Sequence, residues 1–288
     1  MSDNTEQQIT QNVLASMAQA PDPRLHAVMQ SFIAHLHAFI REVEPTEGEW
    51  MQAIQFLTRT GQISDDKRQE FILLSDITGS TMLVDALNHR AREQITESTI
   101  FGPYYRAGAQ ELPMGASINL QGGGEPAVVS GHVLSITGTP IPNALLDVWE
   151  TNENGLYEQQ DPEQLDMNLR GKFRTDSLGY FRFVGIKPVS YPIPDDGPVG
   201  QLLRAVGRHP FRPAHIHLLV SAQGFAPVTT HLFVSGDPYL DSDAVFGTKD
   251  SLIVDFIQNN SAQEAAHYGV EAPFYSVFYD FVLKPLTL

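Results

Sequence analysis

Between residues 24 and 43 the apolar positions Leu25, Val28, Met29, Phe32, Ile33, Leu36, Phe39, Ile40 and Val43 recur at threes and fours, the spacing of a helix with one wide apolar face. Thr46 followed by Glu49 has the form of a capping box, which predicts a second helix that Gly61 ends. A third is expected from about Ser64, through Phe71, Leu74 and Met82, to about Asn88, with Gly79 a weak point inside it. From about residue 110 the period changes. Short β-rich runs punctuated by Gly, Pro, Asn and Asp predict strands at 127–134, 143–150, 179–186, 214–221, 228–234, 251–256 and 274–283. No helices alternate with them, so the expected class is α+β, with a helical region over residues 1–109 and an antiparallel β-sandwich over residues 110–288. Residues 187–213, rich in Pro and Gly, are too long for a passive connector and read as a functional loop. Gly122, Gly123 and Gly124 form a turn without the spacing or the following helix of a dinucleotide site.

Composition narrows the choice of function. With 288 residues, 42% hydrophobic and 18% charged, the chain has the profile of a globular protein with a sizeable core. A net charge of −16 and a pI near 4.9 argue against nucleic acid as partner, because that affinity is built from Lys and Arg contacts to phosphate. The opening MSDNTEQQIT lacks the regions of a signal peptide, and no run of about 18 apolar residues predicts a membrane span, so a cytoplasmic location is expected. Cysteine is absent, which removes thiol nucleophiles and thiolate ligands; any metal is held by nitrogen and oxygen.

The segment FRPAHIHLLV, residues 211–220, brings that possibility forward. On a strand, His215 and His217 share one face and Ile216 takes the other, so two imidazoles converge on one point. Hydrogen-bonded core histidines would give the same pattern, although imidazole is the commonest protein metal ligand. Oxygen ligands could be carboxylates, with Asp147, Glu150, Asp195 and Asp196 available to complete a facial triad around Fe(II). They could also be phenolates, from Tyr157 in NENGLYEQQD and Tyr191 in KPVSYPIPDDG. Spacing alone leaves both open.

The order Gly155-x-Tyr157-x-x-Gln160, then Tyr191-Pro192-Ile193-Pro194, then Arg212-Pro213-x-His215-x-His217 resembles the intradiol ring-cleaving dioxygenases, the family of catechol 1,2-dioxygenase. The resemblance covers nearly the whole chain, including Phe101-Gly102-Pro103-Tyr104, DVWETNENGLY, GYFRF and GDPYLDSD. It implies that Tyr157, Tyr191, His215 and His217 hold one non-haem Fe(III) per subunit. It also implies that Tyr191 is the tyrosinate displaced by an aromatic diol or triol, and that both atoms of O2 enter the product. Arg212 is implied to stabilise negative charge on the substrate ring, although on an extended segment it would face away from the imidazoles unless Pro213 turns the chain. His231 stands in VTTHLFV where catechol-cleaving relatives often carry Gln, and is expected either to share that charge-stabilising role or to be a core residue.

Leu73 and Asp76 in FILLSDITGS share a helix face. Family members that cleave hydroxyquinol have Leu and Asp at this spacing, so the resemblance implies hydroxyquinol as substrate and maleylacetate, through 3-hydroxymuconate, as product. Catechol or chlorocatechol cleavage to cis,cis-muconates is the alternative. Ile100, Phe101, Gly102, Pro103, Tyr104, Ile193, Pro194 and Val245 are expected to complete the pocket wall. Members of the family are dimers through the helical region and can hold a lipid there, which implies a homodimer with phospholipid at its interface. Readings from other classes are a β-sandwich binding module with structural histidines, and an Fe(II) extradiol-type oxygenase with a carboxylate ligand.

Overall fold

The computed structural model describes residues 3–65, 68–89 and 94–286. It divides into two compact units, residues 1–59 and 60–288, so the two helices that follow residue 69 go with the sheets and not with the earlier helices.

The first unit holds α1 (Asp3–Ser16), α2 (Pro23–Val43) and most of α3 (Glu47–Ile63). Asp22 caps α2 by accepting from Arg24 N and Leu25 N, with Pro23 at the first turn, where a missing N–H does no harm. Ahead of α3 the expected box forms: Thr46 N donates to Glu49 Oε2 at 2.8 Å and Glu49 N to Thr46 Oγ1 at 3.2 Å. That helix runs past Gly61 to Ile63. The weakly periodic α1 escaped prediction; it is tied to α2 by Thr10 Oγ1, which lies 2.9 Å from His37 Nδ1 and accepts from Arg41 Nη1. The apolar face of α2 stays uncovered, with Leu25, Val28, Phe32, Phe39 and Val43 all exposed.

In the second unit the single helix expected at 64–88 is two, α4 (Glu70–Ile77) and α5 (Ser80–Asn88). They are broken at Gly79, whose φ of 71° suits a residue without a Cβ. Asp66 and Lys67, within the expected span, lie outside the described residues. The strands follow: β1 (Pro126–Ser135), β2 (Leu145–Trp149), β3 (Arg170–Arg174), β4 (Tyr180–Ile186), β5 (Tyr191–Pro192), then α6 (Pro198–Ala205) and β6 (Phe211–Arg212). After them come β7 (His215–Ser221), β8 (Val228–Val234), β9 (Ile253–Val254), β10 (Ile257–Asn259), α7 (Ala262–Tyr268), β11 (Phe274–Phe278) and β12 (Phe281–Leu283).

One sheet runs β10-β11-β1-β12 with β4 also on β1; the other runs β3-β2-β7-β8-β9. Most pairs are antiparallel as expected, but β1 pairs in parallel with β11 and β12, and β8 with β9. The run predicted as one strand at 274–283 is split between two partners' stretches of β1, and the run at 251–256 begins as a 3-10 turn, Asp250–Leu252. Between the sheets Val129, Val133, Phe181, Phe183 and Phe281 pack against Leu146, Val148, Ile216, Leu218, Val220 and Leu232. Alternation on β7 therefore sends Ile216 and Leu218 into the core and turns His215 and His217 to the opposite face of their sheet.

Candidate active site

The outer face of the β2-β7-β8 strands carries the chemistry. Trp149 on β2 is the register partner of His217 and stacks on its ring, centroids 4.8 Å apart at 16°. Tyr157 comes from the turn after β2, which closes on Gly155; a Cβ there would lie 2.8 Å from Tyr191 Cβ, and φ is 75°, so the position admits glycine alone without strain. Tyr191 is the first residue of β5, and its pairing with Arg212 on β6 folds residues 187–213 back onto the histidines. Helix α6 inside that loop was missed in the sequence because its eight residues are too few for a clear period.

Four donor atoms meet. Tyr157 Oη lies 2.7 Å from His217 Nε2 and 2.9 Å from Tyr191 Oη, which is 3.2 Å from His215 Nε2; the two Nε2 atoms are 3.1 Å apart. Bonds of about 2.0–2.1 Å to a common first-row metal ion at right-angle to tetrahedral openings put ligand atoms about 2.8–3.4 Å apart, a range that holds three of these spacings and lies just above the fourth, so the four atoms could hold one shared ion. The tautomers fit too. His215 Nδ1 lies 2.7 Å from the Pro213 carbonyl, which can only accept, so the ring proton is on Nδ1 and Nε2 offers its lone pair to the cluster. Burial holds His215 and His217 well below the ordinary imidazole range, with Arg212 adding to it, so both are neutral. Burial pushes both phenols up, Tyr157 further still because Tyr191 lies beside it. Two phenols this deeply buried ionise only against a cation.

The carboxylates proposed for a facial triad are elsewhere. Asp147 faces Lys172 and Tyr105, Asp195 pairs with Arg204, Asp196 with Arg68, and Glu150 accepts from Ile186 N. That reading is overturned by geometry. The third imidazole near the pair, His231, lies on the far side of His217, its Nε2 2.7 Å from His217 Nδ1, and it is not on the cavity wall. With Nε2 of His217 turned to the cluster, the proton sits on Nδ1 and donates to His231, so any effect of His231 on a substrate passes through His217.

Arg212 does turn back. Its Nη1 lies 3.1 Å from His215 Nε2, because β6 ends at Arg212 and β7 begins three residues later at His215, after Pro213. Asp243 holds it from behind, accepting from Nε at 3.2 Å, and both side chains are buried. No sequence signal linked these two, 31 residues apart.

A cavity of about 300 Å³ opens on the cluster. Of the expected wall residues, Leu73, Asp76, Ile100, Gly102, Pro103, Tyr104, Ile193, Pro194 and Val245 line it together with Arg212. Phe101 does not; its ring packs on Tyr105 and Trp149, turned away where Gly102 takes a φ of 77°. Tyr104 stacks on Tyr157 at 4.7 Å and accepts from Gln160 Nε2. Sequence reading missed Arg68, Gln69, Glu70 and Ile72 on the wall. Arg68 is forked onto Asp196, while Glu70 accepts from Val199 N at the start of α6, which fixes α4 against the loop that carries Tyr191.

A family model described as Dioxygenase matches residues 100–285, and one described as Catechol dioxygenase N terminus matches residues 22–96. The chain belongs to the intradiol catechol dioxygenase family. This intradiol dioxygenase is 51% identical over 280 residues to a hydroxyquinol 1,2-dioxygenase of Rhizobium sp., covering 96% of this chain and 95% of the relative. Among solved structures, hydroxyquinol 1,2-dioxygenase from Pseudomonas putida DLL-E4 superposes with a TM-score of 0.93 at 47% identity, over 99% of this chain and 100% of that one. Catechol 1,2-dioxygenase from Acinetobacter sp. ADP1 gives 0.85 at 30% identity, over 99% and 94%. Family and donor set together point to non-haem iron as the metal of this intradiol dioxygenase. Among the described residues no helix is long and apolar enough to cross a membrane.

Proposed function

We propose that this intradiol dioxygenase cleaves hydroxyquinol (1,2,4-trihydroxybenzene) between its adjacent hydroxylated carbons, adding both atoms of O2 to give 3-hydroxy-cis,cis-muconate, the enol of maleylacetate. The observation that carries the substrate is Asp76, a buried carboxylate on the wall of the cavity that Tyr157, Tyr191 and His217 also line. Leu73, a helical turn earlier, and the apolar Ile100, Ile193 and Val245 line the same cavity. A carboxylate among such neighbours needs a donor, and the third hydroxyl of hydroxyquinol supplies one that catechol lacks. The hydroxyquinol 1,2-dioxygenases of Rhizobium and Pseudomonas, as the most similar relatives described above, support the same substrate.

Tyr157, Tyr191, His215 and His217 would hold one Fe(III) per subunit, the hard phenolate oxygens favouring the ferric state. When bound, the ferric ion supplies Lewis acidity, which draws electron density out of a coordinated diol ring. Of the two phenols Tyr157 is the fixed one, its backbone N–H bonded to Gln160 Oε1 and its ring stacked on Tyr104. Tyr191, beside the cavity on a two-residue strand, would be the phenolate whose Oη takes a proton from the substrate. Arg212, immobilised by Asp243, stabilises negative charge on the ring as a fixed cation in a dry pocket. The exposed apolar faces of α2 and α3 support a homodimer through the helical region, with phospholipid between the helices.

A product assay on iron-loaded protein with hydroxyquinol, catechol and 4-chlorocatechol tests the reading. Hydroxyquinol is expected to have the highest kcat/KM, and Asp76→Ala to lower the hydroxyquinol to catechol ratio by about 10–100-fold. A wild type that prefers catechol would instead make it a catechol or chlorocatechol 1,2-dioxygenase.

A further inference from the structure

Asp76 is itself held, by a residue that does not line the cavity. Helix α4 ends at Ile77, Gly79 reverses the chain, and Thr81 in the first turn of α5 comes back onto the carboxylate. Thr81 Oγ1 donates to Asp76 Oδ1 at 2.6 Å and lies 2.9 Å from Ser75 Oγ. At that length, onto a carboxylate that is 5% exposed, the bond is of the strong charge-assisted kind. Among the described residues no hydrogen bond reaches the other oxygen, Oδ2. One oxygen is thus committed to the protein and one is left for a ligand.

We propose that Thr81 is a specificity-determining positioning residue: its hydroxyl fixes the rotamer of Asp76 and reserves Oδ2 for the hydroxyl on the third oxygenated carbon of the substrate. The proposal rests on the reading of Asp76 given above. Its energetic setting agrees. Burial raises the affinity of Asp76 for a proton; the Thr81 hydrogen bond is the strongest opposing influence, ahead of the Arg212 charge, while Asp243 works the other way. Arg208, the other cation near this turn, is bonded to the Ile77 and Ala244 carbonyls. A carboxylate kept ionised accepts a phenolic hydrogen bond; one allowed to protonate loses much of that preference. Thr81 therefore acts on hydroxyquinol and hardly at all on catechol, which has no group to meet Oδ2.

The experiment compares wild type, Thr81→Val, Thr81→Ser and Asp76→Ala as iron-loaded enzymes, with kcat/KM for hydroxyquinol and catechol measured from pH 5 to 9. Valine keeps the shape and loses the donor; serine keeps the donor. The expected result is a fall of about tenfold in the hydroxyquinol to catechol ratio for Thr81→Val, mainly through hydroxyquinol, recovered in Thr81→Ser. In Thr81→Val the acid limb of the hydroxyquinol profile, taken relative to that variant's own catechol profile, should move to higher pH, since Asp76 then protonates more readily. If Thr81→Val keeps the wild-type ratio and limb while Asp76→Ala lowers the ratio, Thr81 has no such role and the reading of Asp76 stands. An Asp76→Ala ratio equal to wild type removes the reading and the proposal with it. Should Thr81→Val not fold, Thr81→Ala is read by the same ratio, with its catechol activity reporting an intact iron site.

Discussion

Replacing Glu150 with Gln should abolish a large part of the pH dependence of this protein's stability. Glu150 follows Trp149 at the end of β2; its side chain enters the sandwich, where Oε1 accepts from Ile186 N at 3.0 Å and Oε2 has no partner among the described residues. It is 1% exposed, with no cation paired to it among the described residues, and burial pushes its pKa from 4.5 up to about 8. The sign follows from linkage. A folded-state pKa above the unfolded one means that the native state holds the proton more tightly, so the contribution is complete below about pH 4.5 and is lost as pH rises through about 8. At about 1.4 kcal/mol per tenfold the whole loss is roughly 5 kcal/mol, about half of which falls between pH 6 and 9. With a urea m-value of about 3 kcal/mol/M, that lowers the midpoint by roughly 0.8 M over the interval. Gln keeps the acceptor for Ile186 N and cannot ionise. Urea unfolding followed by tryptophan fluorescence, to which the buried Trp149 contributes, at pH 6, 7, 8 and 9 compares the two proteins, and groups common to both cancel in the difference. Parallel dependence of wild type and Glu150→Gln would refute the reasoning.

On the proposed ligand set Tyr157→Phe removes one of two phenolates, so the phenolate-to-iron charge-transfer colour expected of the wild type should shift or vanish with loss of iron on dialysis; a colourless, iron-replete, fully active wild type would contradict that set. His231→Leu should weaken iron retention against a chelator by about 10–100-fold, because His217 Nδ1 loses its acceptor, while His231→Gln, which offers a carbonyl, should stay close to wild type. Equal retention in all three would mean that His217 is oriented without His231. The exposed faces of α2 and α3 predict a dimer at micromolar concentration in light scattering, and Phe32→Glu with Phe39→Glu should yield monomer; a wild type that runs as a monomer would leave those faces without a role.

What could be read in the chain, and what could not, divides along the range of the interaction. The helix spacing of α2, the capping box of Thr46 and Glu49, and the alternation that turns His215 and His217 one way and Ile216 the other are set by residues within one or two turns, and the sequence carries them whole. Breaks set by tertiary partners were invisible. Nothing local says that Asp250–Leu252 should tighten into a turn, or that 274–283 should divide between two stretches of β1. The same division runs through the site. Two histidines could be found by spacing, but choosing phenolate over carboxylate as their partner rested on likeness to a family until the chain was folded and Asp147, Glu150, Asp195 and Asp196 were seen to face other groups.

His231 shows why register matters more than residue type in such a site. Another imidazole within 4.8 Å of the proposed ligand pair would pass for a third ligand on distance alone. Its pairing opposite His217 on β8 puts its Nε2 against the Nδ1 edge of that ring, while the phenolate oxygens and His215 meet the Nε2 edge. A ring cannot present both edges to one ion. On the proposed ligand set His231 therefore leaves Nε2 as the nitrogen of His217 that faces the cluster, and that arrangement depends on a cross-strand partner 14 residues away, one that no pattern within either strand specifies.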